Sequence, residues 1–288
     1  MTYRQGIALG ITAATLWSLM ALLIRLIGDA TPWQVLFYRS VGMIPVVLAL
    51  VLYRGGFASI RAAGRPALIG GAGLVFAFSG AIIAIQSTTV ANAVFLFSVA
   101  PLLTAILAWA VLREPVAPRT WAALALAAVG LFVMVREGLA LGAGLGNLAA
   151  IVSATGFAVY TVASRWGRLA DMTPCVLIGA CLATAVAAAA IAAEGGGFAL
   201  PLRGILIALG MGAGIVGLGL ILYTLASRVV PASELGLVGL VETMLAPVWA
   251  WAVLGETATP ATFIGGAILL AAIVINTVGA GLPARSGA

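Results

Sequence analysis

Lysine and histidine are both missing, and only 8% of the 288 residues carry a charge. A soluble domain uses about a quarter of its residues as charges to cover its surface. This chain is 64% apolar instead, which marks it as a polytopic, all-α integral membrane protein. Without histidine, the commonest proton shuttle and metal ligand is gone. Only two cysteines occur, Cys175 and Cys181, six apart in an apolar run. That spacing puts them on different helix faces, so they suit neither a metal site nor a redox pair and read as small core residues. No close pair of buried carboxylates is in view, so acid–base and nucleophilic chemistry lack their usual parts, and an intramembrane enzyme is disfavoured.

Nucleotide chemistry is disfavoured too. No Walker motif occurs, so ATP is not an expected partner. GAGIVG at 212–217 spells a literal GxGxxG, with Glu234 at a plausible distance for a ribose contact. It lies inside an apolar span, in a row of glycines from Gly210 to Gly219, where close helix packing is the better reading. The net charge of +6 comes from 14 arginines scattered over loop ends, which is no nucleic-acid footprint. No cofactor is expected.

What is present is apolar length. A helix needs about 20 residues to cross a bilayer, and runs of that order occur at 5–27, 33–53, 66–86, 91–112, 119–136, 146–165, 175–193, 203–226, 232–254 and 261–281. The first is too long for a signal-peptide core and no small-x-small cleavage site follows it, so it counts as a span. Ten spans with a cytoplasmic N-terminus put Arg4, Arg54, Arg61, Arg65, Arg113, Arg119, Arg165, Arg168, Arg228 and Arg285 inside. Only Arg25, Arg136 and Arg203 then fall outside. Ten against three is a positive-inside bias that a wrong span count would scramble. Trp33, Trp121 and Trp166 fall at span ends, as aromatic-belt anchors do.

One stretch is spelled twice. AWAVLRE (108–114) returns as AWAVLGE (250–256), and at this offset of 142 eight of the thirteen positions from 108 to 120 are identical. The same offset aligns DATP (29–32) with DMTP (171–174). Two anchors at one offset imply duplication: one five-helix repeat over 1–140, a second over 146–281, and a Gly-rich linker at 136–147. Five is odd, so helix k and helix k+5 run in opposite directions. The expected architecture is therefore ten transmembrane helices in two inverted repeats, with Glu114 at the cytoplasmic face and Glu256 at the outer one. Inverted repeats let one fold pack in two ways that exchange which side is open, and transport is the expected task.

The AWAVLRE and AWAVLGE segments, each leading into a fifth helix, resemble the two EamA modules of the drug/metabolite transporter superfamily, over essentially the whole chain. Within it the chain is most similar to bacterial exporters of aromatic and other neutral amino acids, of the YddG type. The second module of that superfamily usually carries Glu-Pro in helix 9, whereas here Glu242 precedes Thr243 and the proline is Pro247. The resemblance implies a secondary carrier in the bacterial cytoplasmic (inner) membrane, both termini cytoplasmic, exporting amino acids or related small metabolites by alternating access. An exporter of drugs or cationic compounds is the alternative within the same superfamily. The partners implied are a small-molecule substrate and membrane lipid.

Two ionisable residues fall well inside spans, Glu242 in helix 9 and Arg39 in helix 2. A charge at mid-bilayer costs roughly 2.5–3.5 kcal/mol and needs a cavity or a partner. Glu242 suits a substrate ammonium, a coupling proton, or a protonated carboxyl bonded to a neighbouring helix. Arg39 is expected to snorkel or pair at the interface. Neither charge has a charged counterpart at the repeat offset, which pairs them with Ala100 and Cys181. Asn92, Phe95 and Ser98 step along one face of helix 4, Phe78 and Ser79 sit in helix 3, Trp17 in helix 1 and Tyr160 in helix 6. Aromatic walls with a few aimed polar atoms suit a small zwitterion with an apolar side chain, and these residues with Glu242 form the expected substrate site. Pro101 and Pro247 interrupt corresponding helices, 4 and 9, and are expected to be where these bend during gating.

Overall fold

The computed structural model describes residues 1–87, 90–135 and 144–255, with scattered positions between 264 and 275. Most of the expected tenth span, Glu256 and residues 136–143 of the linker lie outside the described residues, as do the side chains of Asn92 and Phe95.

Three long apolar helices lead the chain: α1 (Tyr3–Ile27), α2 (Pro32–Arg54) and α3 (Gly56–Ser87). Next come α4, in two pieces (Val90–Phe97 and Ala100–Leu112), and α5 (Pro118–Val135). Four more follow: α6 (Gly144–Trp166), α7 (Thr173–Ala193), α8 (Leu202–Ala226) and α9 (Ala232–Leu254). Among the described residues, α1–α3 and α6–α9 are the seven long and apolar enough to cross a membrane. The protein is all-helical, and its outward surface is what lipid requires. Leu68, Phe76, Trp109, Phe132 and Leu206 are exposed while alanine and glycine line the contacts between helices.

Local sequence explains the helix starts. Thr2 with Gln5, and Thr31 with Gln34, form reciprocal capping boxes, and Pro32 occupies the first turn where its missing N–H is not needed. The duplicated DATP and DMTP segments open α2 and α7. In the second, Asp171 accepts hydrogen bonds from both the backbone N–H and the hydroxyl of Thr173. Gly64, at φ 53°, splits α3 into a short leading helix and the long apolar run that starts beside Pro66.

Helix packing has an internal symmetry. α3 lies along α6, and α8 along α1; α3 meets α7, and α8 meets α2; α4 meets α6, and α9 meets α1. The pairs α2–α7 and α4–α9 also touch. Exchanging each helix with the one five places away maps this set of contacts onto itself. At α3–α6 the backbones nearly meet: a Cβ on Gly73 would lie 2.7 Å from the carbonyl oxygen of Gly156.

Helix ends collect on two faces. One, the arginine face, brings together Tyr3, Arg54, Glu114, Arg119, Arg165, Asp171, Arg228 and Glu234 through hydrogen bonds and ion pairs. At the opposite face Trp33 bonds to Glu194, Gln34 to the carbonyls of Gly197 and Ala199, and Gln86 to the carbonyl of Ala30. These contacts give the helix directions. α2 ends at the arginine face and α7 begins there; α1 begins there and α6 ends there; α4 ends there and α9 begins there. α3 ends at the opposite face, whereas α8 ends at the arginine face.

Candidate functional site

In three helices the α-helical ladder is locally interrupted by tightened turns, with Ser18, Leu19, Val99 and Gly239 all keeping right-handed helical dihedrals. α1 is interrupted at Ser18–Leu19, α4 at Ser98–Val99 and α9 at Gly239. Pro101 is the second residue of the continuing piece of α4, so its ring and missing N–H fall where the ladder is already interrupted. Pro247 differs from expectation. It sits inside the unbroken stretch Leu240–Leu254, and the interruption in α9 falls eight residues earlier, at Gly239, whose backbone stays in the right-handed helical region.

Beside these breaks lies a cavity of about 790 Å³, its opening included. Both halves of the chain line it. The first half contributes Trp17 and Met20 from α1, Arg39 from α2, Ala77, Phe78 and Ala81 from α3, and Val94, Phe97, Ser98 and Pro101 from α4. The second contributes Ser153, Ala154 and Phe157 from α6, Val216 and Leu220 from α8, and Gly236, Leu240, Glu242 and Thr243 from α9. The wall is mostly apolar, with few polar atoms.

Those polar atoms are informative. Ser98 and Thr243 share a hydrogen bond of 2.7 Å that ties α4 to α9 across the cavity wall. Trp249 donates to the hydroxyl of Ser18 and ties α9 to the break in α1. Trp17 packs edge-on against Phe157, with ring centroids 5.4 Å apart, and its buried indole N–H has no hydrogen-bond partner among the described residues. Glu242 lines the cavity with neither a hydrogen-bond nor an ion-pair partner among the described residues.

Arg39 corrects the sequence reading. It neither snorkels nor pairs at an interface, being 1% exposed and lining the cavity. Its guanidinium carbon sits 4.2 Å from the centroid of Phe78, and Nη1 donates to the sulfur of Met20 at 3.8 Å. Where an arginine points depends on which helices flank it, and α8 and α3 close over α2 here.

Of the expected site residues, Trp17, Phe78, Ser98 and Glu242 come together around one cavity. Ser79 does not join them; its hydroxyl turns back to the carbonyl of Val75 in its own helix. Tyr160 lies behind the wall, its hydroxyl engaged with Thr224 and the carbonyl of Leu220. Phe157, one turn earlier on α6, takes the lining position. Phe157, Ser153 and Thr243 were not distinguishable from other apolar-span residues by spacing alone.

Along α6 and α8, two layers of polar contacts lie between the cavity-lining residues and the arginine face. Tyr160 and Tyr223, bonded to Thr224 and Thr161, form one layer. Ion pairs form the next: Glu114 with Arg165 at 2.6 Å, Arg119 with Glu234 at 3.3 Å, and Asp171 bridging Arg54 and Arg228. Arg165 also donates to the carbonyls of Ser227 and Arg228, locking the ends of α4, α6 and α8 together.

The fold has a solved counterpart. A crystal structure described only as that of a protein superposes with a TM-score of 0.80 over 98% of this chain and 100% of the other, at 22% identity. None of the curated proteins matches the chain in sequence. The sequence pattern of one family matches twice, over residues 4–136 and again over 144–278, one match for each half that contributes to the cavity. The chain thus belongs to the EamA-like transporter family, membrane transporters of small solutes.

Proposed function

We propose that the protein is a secondary carrier that exports amino acids, neutral and aromatic ones among them, across the bacterial cytoplasmic membrane by alternating access. In this reading ten spans form two inverted five-helix repeats, 1–140 and 146–281, joined by 136–147. The self-mapping contacts and the opposed directions of α1 and α6, α2 and α7, and α4 and α9 support it. The observation that bears most weight is the central cavity built from both halves, apolar and aromatic with a lone carboxylate, Glu242. Such a lining fits a small solute with an apolar side chain and a cationic amine. The arginine face is the cytoplasmic one by the positive-inside bias. Its ion pairs and tyrosine layer close the cavity from that side, and release would follow when these separate and the repeats exchange packings.

Glu242 alone would equally serve a quaternary amine, so the test includes both classes. Purified protein in liposomes is expected to take up labelled neutral and aromatic amino acids saturably, with trans-stimulation by unlabelled substrate. Uptake of quaternary amines only, abolished by Glu242→Gln, would replace this reading with a cation exporter. Flux that rises linearly with concentration would replace it with a pore.

A further inference from the structure

We infer that Arg39 is the anchor for a carboxylate on the transported molecule. The inference rests on the carrier reading above and deepens it by naming the chemistry at one end of the substrate. Arginine carries five N–H donors in a planar fork. Here, among the described residues, Nε and Nη2 are buried without a hydrogen-bond partner, and Nη1 meets a thioether sulfur, a weak acceptor. The ring of Phe78 beneath the guanidinium offsets part of the cost of taking the charge out of water. A buried cation with idle donors still lacks its anion.

Glu242 lines the same cavity, yet no ion pair joins it to Arg39. An ionisable acid and an ionisable base thus line one apolar space with no ion pair between them. The three carboxylates that form ion pairs among the described residues, Glu114, Asp171 and Glu234, all lie at the arginine face. A ligand bearing both charges completes the site: its carboxylate on the Arg39 fork, where bidentate geometry favours a planar anion, and its ammonium on Glu242. The rest of such a molecule lies against Trp17, Phe78 and Phe157. The position of Arg39 is set from behind, where α8 abuts the α2 backbone so closely that a Cβ on Gly212 would overlap the Arg39 carbonyl.

The test is a binding comparison on the purified full-length protein, using compounds that share one aromatic side chain. They are phenylalanine, its amide, its methyl ester, phenethylamine, and 3-phenylpropionate, which keeps the carboxylate but lacks the ammonium. The two carboxylates are expected to bind about 10- to 100-fold more tightly than the three compounds without one. Arg39→Gln is expected to erase that preference and Arg39→Lys to retain part of it. If Arg39→Gln fails to fold, the ranking on the unaltered protein still decides. Equal binding of phenylalanine and its amide would overturn the role of Arg39 while leaving amino-acid transport standing. Binding of 3-phenylpropionate but not of phenylalanine would do the reverse. Failure of both carboxylates to bind would overturn the inference.

Discussion

The carbonyl oxygen of Arg39 shows how little room separates α2 from α8. A Cβ on Gly212 would sit 1.8 Å from it, and one on Gly42 would sit 2.2 Å from the carbonyl oxygen of Leu209. Both obstacles are backbone, which has no side-chain freedom with which to yield. Gly212→Ala is therefore expected to force the helices apart and destabilise the protein by about 1–3 kcal/mol. Gly210, two residues earlier in the same glycine row, has nothing within 4 Å of its Cβ position. Gly210→Ala is expected to be neutral or to stabilise by up to about 1 kcal/mol through helix propensity. Thermal unfolding in detergent separates the two, and equal midpoints would mean that the contact is not tight. The packing role of this row was legible in the sequence, because glycines inside an apolar span have no other common use. The burial of Arg39 was not legible. A charge in a span demands a cavity or a partner, but which of these it finds depends on how α1, α3 and α8 pack around it.

At the scale of elements, the breaks in α1, α4 and α9 matter more than the helices do. Span positions follow from apolar runs, and Pro101 lies two residues after the interruption in α4. In α9 the proline was a poor guide, because an isolated proline removes one hydrogen bond and leaves a helix continuous when its neighbours pack well, whereas the interruption falls at a glycine. The arginine-face latch is also a property of elements, since Arg165 on α6 joins Glu114 at the end of α4 to the carbonyls at the end of α8. Its residues looked like ordinary loop charges in the sequence, and only the helix ends that meet in space make them partners. Removing one member of a largely buried ion pair costs about 3–5 kcal/mol, because the other charge is left uncompensated. Glu114→Gln is expected to shift the population towards separated helix ends. In a Cys175→Ser, Cys181→Ser background, a cysteine replacing buried Ser164 should then react faster with a thiol reagent supplied from the arginine face. An unchanged labelling rate would show that the latch does not hold this face shut.

For the whole molecule, the duplication read from AWAVLRE and AWAVLGE agrees with the two family matches, and among the described residues α1 and α6, α2 and α7, α3 and α8, and α4 and α9 run in opposed directions. The duplication was legible because two anchors far apart in the chain share one offset. Which face looks into the cell is a separate expectation, resting on the retention of arginine on the cytoplasmic side, and it needs a separate test. Residue 61, in the short helix before Gly64, and residue 196, in the exposed link after α7, lie at opposite ends of the bundle. With the native cysteines replaced by serine, a cysteine at position 196 should react with a membrane-impermeant maleimide on intact cells. One at position 61 should react only after permeabilisation. The opposite pattern would turn the protein over in the membrane, making the latched side the outer one and the export reading untenable. Reaction of both positions in intact cells would mean that α2, α3 and α7 do not cross the bilayer as drawn.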